Sequence, residues 1–208
     1  MKRAHQEVVN CALAAAAEAA SRYMEISGGK TIHDHAIETF ISSKVAEAIY
    51  DKRKRHGGSV TLETSFGEIW EVSGARLGRG PADVTKRARF DVCYYEKGKP
   101  LAAIEVKKRF AAHKADRDIR KIEAAMRRLG PEFGGSLEFG IWLAVQRIGD
   151  KARTTAESQT NAFKEAFEWV TEPEVKCQTV RGEFGAFKRK LRSIVELRIF
   201  AVAFSIGG

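Results

Sequence analysis

A single α/β domain, a mixed β-sheet flanked by helices, is the fold this chain predicts, and three observations predict it. The hydrophobic period switches between about 3.6 and about 2, in the order helix, helix, strands, helix, strand, helix, strand. The 208 residues suffice for one sizeable core. A composition of 44% hydrophobic and 30% charged residues, without an internal repeat, low-complexity tract or linker, gives no reason to divide them.

Residues 3–24 are rich in alanine, a strong helix former. Glu7, Asn10 and Glu18 interrupt the apolar positions, so this start is read as a partly packed surface helix and not as a secretion signal. Ser27-Gly28-Gly29-Lys30 ends it. In the next helix Ile37, Ile41, Val45, Ala48 and Ile49 form one stripe, Asp34 is the expected N-cap, and Lys52 to Arg55 form a basic last turn before Gly57-Gly58. "SVTLETSF" and "EIWEVSG" alternate and are expected as strands. A loop rich in Gly and Arg, 75–87, leads to two strands joined by "EKGK". "DRDIRKIEAAMRRLG" is helical and stops at Gly130-Pro131. "SLEFGIWLAVQ" is a strand buried on both faces. Residues 154–170 are helical, with Ala162, Phe163, Ala166, Phe167 and Val170 on one face. After a loop at Pro173, a short basic helix runs into a final strand. The expected organisation is an N-terminal helical extension (1–30), a core (34–146) and a C-terminal helix and strand (150–208).

The formal charge of +9 and a pI near 9.6 favour an anionic partner, and nucleic acid is the commonest. Three cysteines without paired spacing fit a reducing, cytoplasmic setting and give no zinc pattern. No run approaches the ~20 apolar residues of a membrane span. No G-x-x-x-x-G-K-[ST] stretch supports nucleotide-driven work.

The chemistry concentrates between Arg87 and Arg109. Asp91 lies inside an apolar run, and Glu105-Val106-Lys107 closes the next one. An unpaired buried charge is expensive, so two lone carboxylates on adjacent strands require a reason. A type I turn over Tyr95 to Gly98 with a G1 bulge would pair Tyr95 with Lys99, Asp91 with Ala103 and Arg89 with Glu105. Phe90, Val92, Ile104 and Val106 then share the core face, and Asp91, Glu105 and Lys107 share the other. The carboxylates sit diagonally, roughly 7–8 Å apart at Cα, near enough for one cation to bridge. Oxygen ligands of this kind suit Mg²⁺, with Mn²⁺ as substitute, and like-charged groups aimed at one point require such an ion or a proton. Lys107 is placed to hold an attacking water or to stabilise developing phosphate charge.

Asp91, a hairpin, and then Glu105-Val106-Lys107 resemble the D…(D/E)-X-K core of the PD-(D/E)XK, or restriction-endonuclease-like, nuclease superfamily. The resemblance covers residues 34–146. It implies a restriction-endonuclease-like fold and a Mg²⁺-dependent endonuclease, on DNA rather than RNA, with a homodimer open. It also implies metal ligation by Asp91 and Glu105, a water-directing Lys107, and an added acidic ligand, Glu38, from the first core helix. Phe90 stands where the motif's proline would be. Asp83, in "PAD", is a rival acid, but it lies in a Gly-rich loop, and strands position ligands more rigidly. The competing readings are a nuclease-fold module that binds nucleic acid without cutting it, and a solvent-facing strand pair holding surface ion pairs.

Lys108, Arg109, Arg120, Lys121, Lys188, Arg189 and Lys190 are candidates for phosphate contact, with Arg117, Arg127 and Arg128 beside them. The alternative for each is a solvated helix face. His33 and His35 flank the helix bearing Glu38 and read as capping or surface residues. Gln146 ends its strand near the motif. Trp70 and Trp142 are assigned to the core, and Cys93 is read as an inert buried thiol.

Overall fold

The computed structural model describes residues 1–32, 36, 38–76, 86–108, 112–148, 174–185 and 192–205. In chain order these form α1 (Arg3–Ile26), α2 (Glu38–Arg53), a 3₁₀ turn (Lys54–His56), β1 (Gly58–Ser65), α3 (Phe66–Ser73), β2 (Arg89–Glu96) and β3 (Lys99–Lys107). They continue with α4 (Ala112–Leu129), a 3₁₀ turn (Pro131–Phe133), β4 (Phe139–Ile148), β5 (Glu174–Gly185) and β6 (Arg192–Ser205). One six-stranded sheet runs in the order β1-β2-β3-β4-β6-β5. β3 and β4 are parallel, and every other neighbouring pair is antiparallel. The fold is therefore α/β, a mixed sheet flanked by helices.

Alternation sends side chains to two cores. Val92, Tyr94, Ile104, Val106, Ile141 and Leu143 pack with α1 and α2 on one face. Cys93, Ala103, Trp142, Ala144 and Phe200 pack with α3 and α4 on the other. Helix α1 is more deeply embedded than a partly packed surface helix, since Val9, Ala12, Ala16 and Ala20 are fully buried. Its small side chains let the helix approach closely. Arg53, at the end of α2, ties the layers together. It donates to Glu7 of α1 at 3.0 Å, to Glu96 of β2 at 2.6 Å and to the Tyr94 hydroxyl at 3.2 Å.

Four sequence expectations are corrected. "EIWEVSG" is not a strand: Ser65 and Glu68 form a reciprocal capping box and start α3 instead. The segment after Pro173 is the strand β5, pairing with β6, which already begins at Arg192 within the stretch expected as a basic helix. The hairpin turn is tighter than expected. Lys97 and Gly98 both take left-handed φ values, 51° and 78°, as a two-residue I′ turn requires, so Glu96 faces Lys99. The register then shifts, with Tyr95 facing Pro100 but Tyr94 facing Ala102, which leaves Leu101 as an extra residue. From there Cys93 faces Ala103 and Val92 faces Ile104. Continuing this register places Asp91 opposite Glu105, two residues away from the expected pairing of Asp91 with Ala103.

Phe90 is the fourth correction. It packs with Phe66, Ile69 and Ile119, on the opposite side from Val92 and Val106. The β1–β2 ladder lacks a Glu63–Asp91 pair, and Glu63 is left-handed at φ 51°, so strict alternation fails there. The expected N-cap Asp34, the rival acid Asp83 and the helix over 154–170 lie outside the described residues. Among the described residues no helix is long and apolar enough to cross a membrane.

Candidate active site

Three elements converge at the carboxyl end of β3. The ammonium of Lys107 lies 3.2 Å from Glu105 Oε2, 3.6 Å from Asp91 Oδ2 and 4.0 Å from Glu38 Oε2. All four residues expected at a site thus meet around one nitrogen, although β2, β3 and α2 supply them from separate stretches of chain. Alternation along β3 turns Glu105 and Lys107 towards α4 together. Asp91 is held by the backbone, because its Oδ2 accepts the Val106 N–H at 2.6 Å. Glu38, in the first turn of α2, accepts the Lys108 N–H at 3.3 Å.

Glu105 is only 2% exposed, which sets aside a solvent-facing strand pair. Burial, reinforced by the Asp91 charge, pushes its carboxyl up to about 7, even though Lys121 and Lys107 pull the other way. Lys107 answers to more charges. Burial pulls its amine down, but Glu105, Asp91, Asp118 and Glu38 together hold it well above the ordinary lysine value. One ammonium shared among four carboxylates remains fully charged, while the most deeply buried of the four stays short of compensation.

Helix α4 supplies two groups that the motif reading did not place here. Asp118 is 5% exposed and stands 3.6 Å from the Lys107 ammonium. Among the described residues its Oδ2 takes part in no hydrogen bond. Lys121, expected as a phosphate contact, instead donates to Glu105 Oε1 and, at 2.6 Å, to the Arg89 carbonyl. Its ammonium also lies 4.9 Å over the Phe90 ring. A sequence signal for both existed. Asp118 and Lys121 border the buried stripe of Ala115, Ile119 and Ile122, and a helix turns such neighbours towards the sheet.

Next to this cluster a cleft of about 800 Å³ runs along α4, lined by Arg89, Arg117, Arg120, Lys121 and Arg127 with Asp116, Asp118 and Glu123. Arg120 pairs with Asp116 at 3.1 Å and Arg127 with Glu123 at 2.7 Å, while Arg117 is exposed. Arg128 instead stacks on Trp70, 5.4 Å from the ring centre. Lys108 is drawn away to the start of α2, where its ammonium donates to the Ala36 carbonyl at 2.9 Å. Gln146 is half-buried and, by alternation, shares the face of Trp142 and Ala144, one pleat beyond the Lys107 partner. Trp142 is fully buried, whereas Trp70 only flanks the core. Burial pushes the Cys93 thiol up to about 12, so it stays protonated and inert. His33, His35, Arg109, Lys188, Arg189 and Lys190 lie outside the described residues.

The donor set suits a hard divalent cation. With every carboxylate ionised, four of them face two ammonium groups and two negative charges are left over, and one carboxylate oxygen is buried without a hydrogen bond. Among the described residues no three His, Cys, Asp or Glu side chains are gathered to hold a metal by themselves; the Lys107 ammonium stands among the carboxylates. No family model matches the chain, and no curated protein or solved structure matches it.

Proposed function

We propose that the protein is a metal-dependent nuclease, of restriction-endonuclease-like fold, that hydrolyses phosphodiester bonds in DNA. The observation that carries this reading is the meeting of Glu38, Asp91 and Glu105 within 4.0 Å of the Lys107 ammonium. The order α2, β1, α3, the β2–β3 hairpin, α4 and β4 follows the order that the motif resemblance implies, except that α3 stands where a second strand was expected. The formal charge of +9 supplies long-range attraction for a polyanion.

In this reading Asp91, Glu105 and Glu38 would hold Mg²⁺, or Mn²⁺ in its place. A bound ion of this kind makes a water more acidic and offsets charge on the phosphate. Asp91 is kept in place by the Val106 N–H, which fixes a ligand oxygen without a rotamer search. Glu105 sits in a dry position where its charge is strongest towards a cation. Lys107 orients the water and stabilises charge as it develops on the phosphate. Arg117, Arg120 and Arg127 line the cleft where a nucleic-acid backbone would approach.

A second reading has its own support. Lys107 and Lys121 both neutralise Glu105, and a self-neutralised cluster also suits a module that binds nucleic acid without cutting it. One assay separates the two. Supercoiled plasmid should be nicked or linearised in Mg²⁺ or Mn²⁺ and left intact in chelator. Binding without cleavage in every metal would select the module, and cleavage that ignores chelator would reject the metal-dependent site.

A further inference from the structure

Lys121 occupies an unusual position for a lysine on a cleft wall. Its ammonium is spent on Glu105 Oε1 and on the Arg89 carbonyl, although its stem lines the basic cleft and the side chain is 23% exposed. Glu105 is therefore bracketed, with Lys107 on Oε2 and Lys121 on Oε1. Both oxygens that a cation would need are already taken. Asp118 completes the arrangement, since its buried Oδ2 makes no hydrogen bond among the described residues and lies 3.6 Å from the Lys107 ammonium. Lys107 can thus lean towards Asp118 and leave Glu105 without losing a carboxylate partner. Lys121 has only one carboxylate at hand among the described pairs, but the cleft is open beside it.

Building on the nuclease reading, we infer that Lys121 is a displaceable counter-ion that couples cation binding at Glu105 to phosphate binding in the α4 cleft. Without a divalent ion, Lys121 neutralises Glu105. When a divalent ion is present that role is redundant, and two positive centres at one carboxylate oxygen repel each other. The ammonium then swings along its flexible stem towards a backbone phosphate in the cleft. The linkage is reciprocal: a phosphate that draws Lys121 away frees Glu105 for the ion. Asp118 takes the positioning part, receiving Lys107 while the exchange occurs.

Two substitutions pull in opposite directions. Lys121→Met keeps the stem and removes the competitor, so Mg²⁺ and Mn²⁺ should bind about 10-fold more tightly by calorimetry, within the usual range of such couplings. Lys121→Arg keeps the charge in a planar fork that grips a carboxylate with two bonds, so the ions should bind several-fold more weakly. Anisotropy with a short fluorescent DNA duplex, with and without Ca²⁺, reads the coupling apart from turnover. In the unmodified protein the ion should tighten DNA binding about 10-fold, and in Lys121→Met that gain should shrink to the smaller part that the ion's own charge exerts on the phosphate. Ion affinity that is the same or weaker in Lys121→Met, or undiminished coupling, would make Lys121 a fixed brace and overturn the inference while leaving the nuclease reading intact. A wild-type protein that binds neither Mg²⁺ nor Mn²⁺ would overturn both. If Lys121→Met fails to fold without an ion, the Arg variant decides alone, and an unchanged or tighter ion affinity in it refutes the exchange.

Discussion

Replacing Glu105 with glutamine should stabilise the ion-free protein, and the gain should grow with pH. The folded state holds the Glu105 proton more tightly than the unfolded chain, because burial first and the Asp91 charge second move its carboxyl from 4.5 to about 7. The stability this group contributes is therefore fully present below about pH 4.5 and is lost as pH rises through about 7. At about 1.4 kcal/mol per pH unit, the loss reaches a ceiling of about 3 kcal/mol. Glutamine keeps the neutral shape at every pH and escapes that loss. Below about pH 4 the two proteins should melt almost together. At pH 8 Glu105→Gln should melt higher, by up to roughly 6–12 °C for a domain of this size. Saturating Mg²⁺ should narrow the difference by stabilising wild type by about 2.7 kcal/mol at 100 times its dissociation constant, with little effect on the variant. Differential scanning calorimetry of both proteins across this pH range is the assay. A variant that melts below wild type at pH 8, or a gap that does not change with pH, would mean that Lys107 and Lys121 outweigh the cost of burying Glu105. The site would then not be short of positive charge.

Lys107→Ala should lower turnover at least ~100-fold, the scale of one positioned group, with DNA affinity nearly unchanged; lost binding with normal turnover per bound complex would make Lys107 a phosphate anchor. DNA affinity should fall with salt at a log–log slope near roughly −5, from about 6 neutralised phosphates, and a slope near zero would point to a partner that is not a polyanion. Arg53→Met should cost about 2 kcal/mol by urea denaturation, less than a fully buried network, because Glu7 and Glu96 retain partial contact with water. A change within about 0.5 kcal/mol would show that the three-element junction contributes little.

Much of the site was legible in the chain because strand alternation is local. Placing Glu105 and Lys107 on one face needs only a two-residue period, and an aspartate inside an apolar run marks itself. The helical stripe of α2 and the alanine-rich α1 were readable for the same reason: each pattern repeats within one element. Register was not readable at this level. It depended on whether the loop held two residues or three and on one extra residue, Leu101, and those choices slide Asp91 from Ala103 to Glu105. Helix α3 is ambiguous by period, because an apolar stretch of eight residues fits either, and the Ser65–Glu68 capping box is the signal that resolves it. Asp118 and Lys121 show the larger limit. On an isolated α4 they are two charges among many. Only the packing of that helix over β3 and β4 turns one towards Lys107 and the other onto Glu105. The chain alone therefore specified which residue types share a strand face. The meeting of four carboxylates and two ammonium groups at one point was decided by contacts between elements far apart in the chain, and no local period encodes those.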